Sequence, residues 1–197
     1  DDFGGFLMSR LLAPHGLAVS DLNVMDLPPP ATLDAAEKGT VQVIHAAEPW
    51  LTRLLDAGHV KIWKADYEVI PDQQYAFIAF GPSLIRDRPE IGRRFMVAYL
   101  KGVRRYNEGK TERNLEIIAK HTKMDRDILE RAVWAPMNND GRINTDSILA
   151  FQEWAVKTGL VERAMKAEEF WDPSFVEHAG RILDGPAKEQ DARGATP

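Results

Sequence analysis

The sequence predicts an α/β fold: short strands alternate with helices over the first 80 residues, and helices continue to residue 183. Apolar residues form short runs before residue 80 and recur every three or four positions after Pro89. Charge changes at the same place, since residues 1–80 hold 5 basic and 11 acidic side chains and residues 81–183 hold 18 and 16. These observations predict two regions, residues 1–74 and 75–183, followed by a disordered tail over residues 184–197.

Composition places the chain among globular proteins and excludes several classes of function. Of its 197 residues, 44% are hydrophobic and 28% are charged, and no run reaches the roughly 18 apolar residues of a membrane span. The absence of cysteine excludes thiol catalysis, disulfide bonds and Cys-ligated metal centres. A net charge of −5 argues against nucleic acid as the main partner.

In the first region, we predict helices over residues 6–12, 31–38 and 49–57, and strands over residues 22–27, 41–47, 60–63 and 75–80. Gly16 and Gly39 are expected to end the first two helices. Three consecutive prolines at 28–30 force a turn before the second helix. Strands separated by helices favour βαβ units and therefore a parallel sheet.

The second region is predicted to be helical over residues 89–107, 111–121, 126–134, 145–157 and 173–183. Asp125 and Thr145 are the expected N-caps of two of these helices. The longest helix carries an apolar face formed by Ile91, Phe95, Tyr99, Gly102, Val103 and Tyr106. If the chain is alone, we expect this face to be exposed through Phe95, Tyr99 and Val103.

The stretch HAAEPW, residues 45–50, is predicted to be a corner between a strand and a helix. Pro49 suits the first helical position, where its missing N–H would be unpaired anyway. The carboxylate of Glu48 suits the positive end of the helix dipole. Because open α/β sheets bind ligands at the carboxyl ends of their strands, Glu48 is also a candidate ligand contact. His45 lies within the apolar run and is predicted to be a core residue.

The order of these segments resembles the second lobe of the type 2 periplasmic binding proteins. The nearest branch contains the nitrate, sulfonate and taurine receptors and the NMT1/THI5-like pyrimidine-precursor proteins. The resemblance covers nearly the whole chain and is carried by FLMSRLLAPHGLAVSDLNVMDL, EKGTVQVIHAAEPWLTRLLDAG, RPEIGRRFMVAYLKGVRRYNEG, NNDGRINTDSILAFQEWAVKTGLV and DPSFVEHAGRIL. Gln42 departs from this pattern, which often has Asp at that point.

The resemblance implies a two-lobed fold of sheets flanked by helices. Residues 1–74 would form the second lobe, residues 75–183 would cross back and complete the first, and most of the first lobe would precede this chain. It implies the solute-binding component of an ABC importer, without enzyme activity and without a cofactor or metal. The implied partners are a small polar or heteroaromatic solute, held in a cleft between the lobes, and a membrane permease. The implied location is periplasmic or otherwise extracytoplasmic.

Four residues are the predicted ligand contacts: Asp2, Phe3, Glu48 and Trp50. The rings of Phe3 and Trp50 could stack on a planar solute, and Asp2 and Glu48 could accept its hydrogen bonds. Each residue also has an alternative structural role, because carboxylates cap helix starts and aromatic rings pack there.

Two other functions remain as alternatives. The stretch LEIIAKHTKMDRDILERAVW fits a helix-turn-helix, and residues 101–131 hold 9 basic and 6 acidic side chains. Interleaved acids are, however, typical of a solvated helix face. A THI5-like pyrimidine-precursor enzyme is the second alternative, but that resemblance implies a Cys-containing motif, which this chain lacks. The sequence contains no His pair with metal-ligand spacing and no phosphate-binding loop.

Overall fold

A computed structural model describes residues 2–185 of the chain, and within that range the regular structure is helical. None of the helices found there combines the length and apolar character needed to cross a membrane. Short 3₁₀ turns cover Ala13–His15 and Val19–Asp21, and a π turn covers Ser83–Asp87. The α-helices are α1 (Asp2–Leu12), α2 (Pro29–Glu37), α3 (Trp50–Asp56), α4 (Asp66–Val69), α5 (Pro89–Tyr106), α6 (Glu112–Thr122), α7 (Arg126–Arg131), α8 (Thr145–Lys157), α9 (Ala167–Phe170) and α10 (Ser174–Asp184).

The predicted α/β fold is wrong, because residues 2–185 contain no strand and therefore no sheet. The four segments predicted as strands, residues 22–27, 41–47, 60–63 and 75–80, are loops. Several of their large apolar side chains are exposed, by 67% at Val24, 62% at Val43, 66% at Trp63 and 62% at Phe77. An apolar run supplies side chains that would pack well in a sheet. A strand also needs neighbouring strands that accept and donate backbone hydrogen bonds.

The described residues form two compact units, each built from several stretches of the chain. Unit 1 contains residues 2–74, 110–135 and 144–165, and unit 2 contains residues 75–109, 136–143 and 166–185. Of the predicted disordered tail, residues 184 and 185 are described and residues 186–197 are not. Asp184 ends α10, and its carboxylate forms a bidentate ion pair with Arg104 of α5 at 2.7 and 3.0 Å.

An aromatic cluster forms part of the core of unit 1. Phe6 of α1 is 1% exposed, and its ring lies 5.3 Å from the ring of Phe151 and 5.5 Å from that of Trp154, both on α8. Gly5 makes this close packing possible, because a Cβ atom there would lie 3.3 Å from the Trp154 ring. Elsewhere in the unit, α3 packs against α7 and α6 against α7, with Leu54, Leu115 and Leu129 buried.

The core of unit 2 lies between α5 and α10 and contains Met96, Leu100, Phe175, Val176 and Ala179, with Trp171 packed against it. The predicted apolar face of the longest helix is displaced by about one residue. Gly92, Met96 and Leu100 are buried, whereas Ile91 and Phe95 are 40% and 45% exposed. The predicted exposure of Val103 is wrong, because its side chain is 3% exposed. Gly92 explains the displacement, since a Cβ atom there would lie 2.8 Å from the Phe175 ring. The missing side chain lets α10 approach α5 on that side.

Side-chain caps begin several of the helices. Thr111 accepts a hydrogen bond from the Asn114 N–H at the start of α6, and Asn144 accepts one from the Ser147 N–H at the start of α8. The predicted cap Thr145 is instead the first residue of α8. Asp125 occupies the N-cap position of α7 as predicted, without a side-chain cap bond.

Candidate functional site

The carboxylate of Glu48 joins two parts of unit 1. Its Oε2 accepts hydrogen bonds from the Thr52 N–H at 3.1 Å and from the Thr52 hydroxyl at 2.7 Å. Its Oε1 accepts a hydrogen bond from the Val133 N–H at 3.0 Å, beyond the end of α7. Pro49 is the N-cap residue of α3, so the helix begins at Trp50, one residue later than predicted. Glu48 therefore caps α3 and holds the segment after α7 beside it.

Glu48 has limited capacity left for a solute. A carboxylate has about four acceptor positions, and hydrogen bonds within the protein already occupy three of those of Glu48. Thr52, which supplies two of the donors, is buried at 6% exposure. The role of Glu48 as a ligand contact stays a prediction, and its capping role is the one that the hydrogen bonds support.

Replacing Glu48 with glutamine should lower the free energy of unfolding by about 1–3 kcal/mol, because the amide nitrogen cannot accept the bond that one oxygen now accepts. Chemical denaturation of the full chain measures the change. Glu37→Gln is the matched control, since Glu37 lies exposed at the end of α2 and should change stability by less than about 0.5 kcal/mol. Equal stability in the two variants would contradict the capping role.

Trp50, the first residue of α3, is half-buried and has a cation beside its ring. The guanidinium of Arg53 lies 4.8 Å from the ring centroid, which is a cation–π contact. One face of the indole is thus covered by the protein itself. A planar solute could use the other face, so the predicted stacking role is untested.

Phe3 lies in α1 beside two side chains that the sequence did not assign to a site. Its ring centroid is 6.2 Å from that of His45, and the His45 Nε2 lies 3.3 Å from the Asp66 Oδ2, at the start of α4. His45 is not the predicted core residue, because its side chain remains 26% exposed and that of Asp66 33%. Phe3, His45 and Asp66 together form the aromatic–histidine cluster.

Asp2, the other predicted contact at this end of the chain, is the first residue of α1, and its side chain is outside the described structure.

Sequence reasoning missed the aromatic–histidine cluster because its members are far apart along the chain. His45 and Asp66 are 21 residues apart, and no helix or strand period relates them. The available signal was that His45 is the polar residue near the end of the run VQVIHAA. That signal marks the position but does not reveal the carboxylate partner.

A separate open groove of about 500 Å³ lies in unit 1, with Leu17, Trp154 and Leu160 among its lining residues. Its two hydroxyl groups already donate hydrogen bonds to backbone carbonyls, Ser9 to Phe6 and Thr158 to Trp154. The groove therefore offers mainly apolar surface to a ligand. It suits a polar solute less well than the aromatic–histidine cluster does.

The described residues do not gather metal ligands. Across residues 2–185, no group of three or more His, Cys, Asp or Glu side chains could hold a metal ion. The aromatic–histidine cluster and the Glu48 corner instead offer aromatic, imidazole and carboxylate groups.

Comparison with known families identifies the chain. The model of the NMT1-like family matches residues 4–121, which is more than half of the sequence, and the protein belongs to that family. The matched range includes His45, Glu48, Trp50 and Asp66 and begins one residue after Phe3. No curated protein and no solved structure matches the chain. The NMT1-like part of the predicted resemblance is confirmed, and the closeness to nitrate, sulfonate and taurine receptors stays a prediction.

Proposed function

We propose that this protein is the solute-binding component of an ABC import system, which captures a small polar or heteroaromatic solute and delivers it to a membrane permease. The observation that carries the proposal is the family match over residues 4–121, because membership of the NMT1-like family fits a solute-binding role. In this role the protein works outside the cytoplasm and leaves its solute chemically unchanged. Solute binding then depends on shape, hydrogen bonds and charge rather than on reactive groups.

The DNA-binding alternative is less well supported than the solute-binding one, because the arginines that would have to contact phosphates are already in ion pairs. In the α6–α7 pair, Arg126 forms ion pairs with Glu112 and Glu130, and Arg131 forms ion pairs with Asp56 and Asp127. The hydrogen bond from Arg126 lowers the pKa of the Glu112 carboxyl, which keeps that pair ionised. Arginines held by carboxylates would have to exchange those partners for phosphates, which weakens electrostatic attraction to DNA.

A thermal-shift screen tests the proposal. The purified full chain is heated with 4-aminopyrimidine, taurine, nitrate, benzoate or a 20-base-pair DNA duplex. A solute at about 100 times its dissociation constant stabilises the folded state by about 2.7 kcal/mol, which should raise Tm by about 5–10 °C. Stabilisation by the duplex and by none of the solutes would overturn the importer proposal in favour of DNA binding.

A further inference from the structure

The first half of α5 carries a face that the core of unit 2 does not use. Five of its residues recur at spacings of three and four and therefore share one side of the helix: Ile91, Arg94, Phe95, Ala98 and Lys101. All five are exposed, because α5 buries a different side, which includes Met96 and Leu100, against α10. This side of α5 is therefore accessible to a partner.

The π turn before α5 extends the same surface. It packs against α5 at Gly92, where an added Cβ atom would lie 2.9 Å from the Leu84 carbonyl oxygen. Ile85 in this turn is 46% exposed, and Ile91 and Phe95 on the helix are 40% and 45% exposed. Large apolar side chains that are exposed together mark a contact surface. The exposed side chains of residues 85–101 form the α5 outer face.

The α5 outer face is positively charged, although the whole chain is negative. Residues 86–101 hold 5 basic and 2 acidic side chains, a net charge of +3, whereas the chain carries −5. The ion pairs formed among residues 2–185 leave out all five of these cations, which are Arg86, Arg88, Arg93, Arg94 and Lys101. All five are also exposed, so their charge is available to attract an anionic surface.

Charge and apolar exposure together select the kind of partner. A second copy of the chain docked through the same face would place positive charge against positive charge, which disfavours a symmetric dimer. Nucleic acid would neutralise the cations but would gain nothing from Ile91 and Phe95. An anionic phospholipid surface complements both features, because its headgroups attract Arg and Lys and its acyl boundary accepts apolar side chains.

We propose that the α5 outer face docks the protein on an anionic phospholipid surface. Arg94 and Lys101 contact lipid phosphates, and Ile91 and Phe95 enter the boundary between headgroups and acyl chains. In an importer, this contact would concentrate the protein on the membrane that holds the permease. Docking requires no bound solute, so this inference and the importer proposal can fail independently.

Co-sedimentation with phospholipid vesicles tests the docking. The full chain is mixed at low salt with vesicles of phosphatidylcholine alone or of phosphatidylcholine and phosphatidylglycerol in equal parts. Binding to the anionic vesicles should be at least about tenfold tighter, and added sodium chloride should weaken it by screening the charges. Equal binding to both kinds of vesicle, or binding to neither, would overturn the proposal.

A double substitution tests the cations of the face. Arg94→Gln combined with Lys101→Gln should weaken binding to the anionic vesicles about ten- to thirtyfold, since each cation near such a surface contributes about fivefold. The matched control combines Arg113→Gln with Lys120→Gln, which removes the same pair of charges at the same spacing from exposed positions of α6. Binding of the control should stay within about twofold of the unmodified protein. An equal loss in both double variants would mean that only net charge matters, and the proposed face would be wrong.

Ile91→Ser tests the apolar part of the face. It should weaken binding to the anionic vesicles about three- to tenfold, because a buried aliphatic side chain is lost from the lipid boundary. Ile117→Ser is the matched control, since Ile117 on α6 is 42% exposed and Ile91 is 40% exposed. Thermal melting followed by circular dichroism should show that each variant remains folded, because the substituted side chains are exposed.

Two further outcomes would assign the face to another partner and overturn the lipid proposal. One is equally tight binding of a DNA duplex, with Ile91→Ser changing neither interaction, which would indicate a general polyanion site. The other is a dimer in size-exclusion chromatography that Ile91→Ser converts to a monomer, without vesicle binding. Solute stabilisation in the thermal-shift screen is a separate readout, so a failure to bind vesicles would leave the importer proposal intact.

Discussion

Phe6→Ala should lower the free energy of unfolding by about 3–5 kcal/mol, the range measured for buried aromatic truncations. Phe6 is 1% exposed, and its ring has four neighbours: the rings of Phe3, Phe151 and Trp154, and the Arg10 guanidinium, which lies 5.2 Å from the ring centroid. The substitution removes the burial of the ring and leaves a cavity between α1 and α8. Urea denaturation of the full chain measures the loss.

Phe77→Ala is the control for that measurement. It makes the same chemical change at a ring that is 62% exposed, so its effect should stay within about 0.5 kcal/mol. Similar losses in the two variants would mean that the aromatic cluster of α1 and α8 does not form part of the core of unit 1.

Gly141→Ala should destabilise the protein by about 2–4 kcal/mol, for two reasons that act together. Gly141 has φ +72°, a left-handed conformation that costs about 1–2 kcal/mol for a residue with a Cβ atom. The added Cβ would also lie 2.7 Å from the Leu100 Cδ2 and 3.1 Å from the Val176 Cγ1, so the core between α5 and α10 would have to shift. Urea denaturation of the full chain again provides the measurement.

Gly109→Ala separates the two contributions within the same unit. Gly109 has φ +86°, and a Cβ atom there would meet no atom within 4 Å. Only the conformational cost applies, so we expect a loss of about 1–2 kcal/mol. If Gly141→Ala proves no more costly than Gly109→Ala, the close approach of Gly141 to Leu100 is incorrect.

The helices could be predicted from the sequence because their signals are local. The prediction of a helix over residues 145–157 agrees with α8, and the one over residues 111–121 differs from α6 by a single residue at each end. Periodic apolar positions and a nearby cap residue suffice to define such a helix. The strand predictions failed because a strand depends on partners elsewhere in the chain, which apolar runs such as YAFIAF at 75–80 do not specify.

In the candidate site, too, local features could be predicted from the sequence and long-range contacts could not. Glu48 was found from a local signal, a carboxylate before Pro49 and Trp50, and its helix-start position is confirmed by the hydrogen bonds to Thr52. Its bond to the Val133 N–H connects residues 85 positions apart and could not be read from the sequence. The His45–Asp66 pair was missed for the same reason. Long-range side-chain pairs require the fold to be known first.

The distribution of tryptophan gives each unit a separate optical signal. Of the five tryptophans, Trp171 is the one in unit 2, where it packs against the core of α5 and α10. The other four belong to unit 1, and Trp154 sits within the aromatic cluster beside Phe6. Four of the five tryptophan fluorophores therefore lie in unit 1. The difference spectrum between the unmodified protein and Trp171→Phe gives the emission of Trp171, which reports on unit 2 without an added dye.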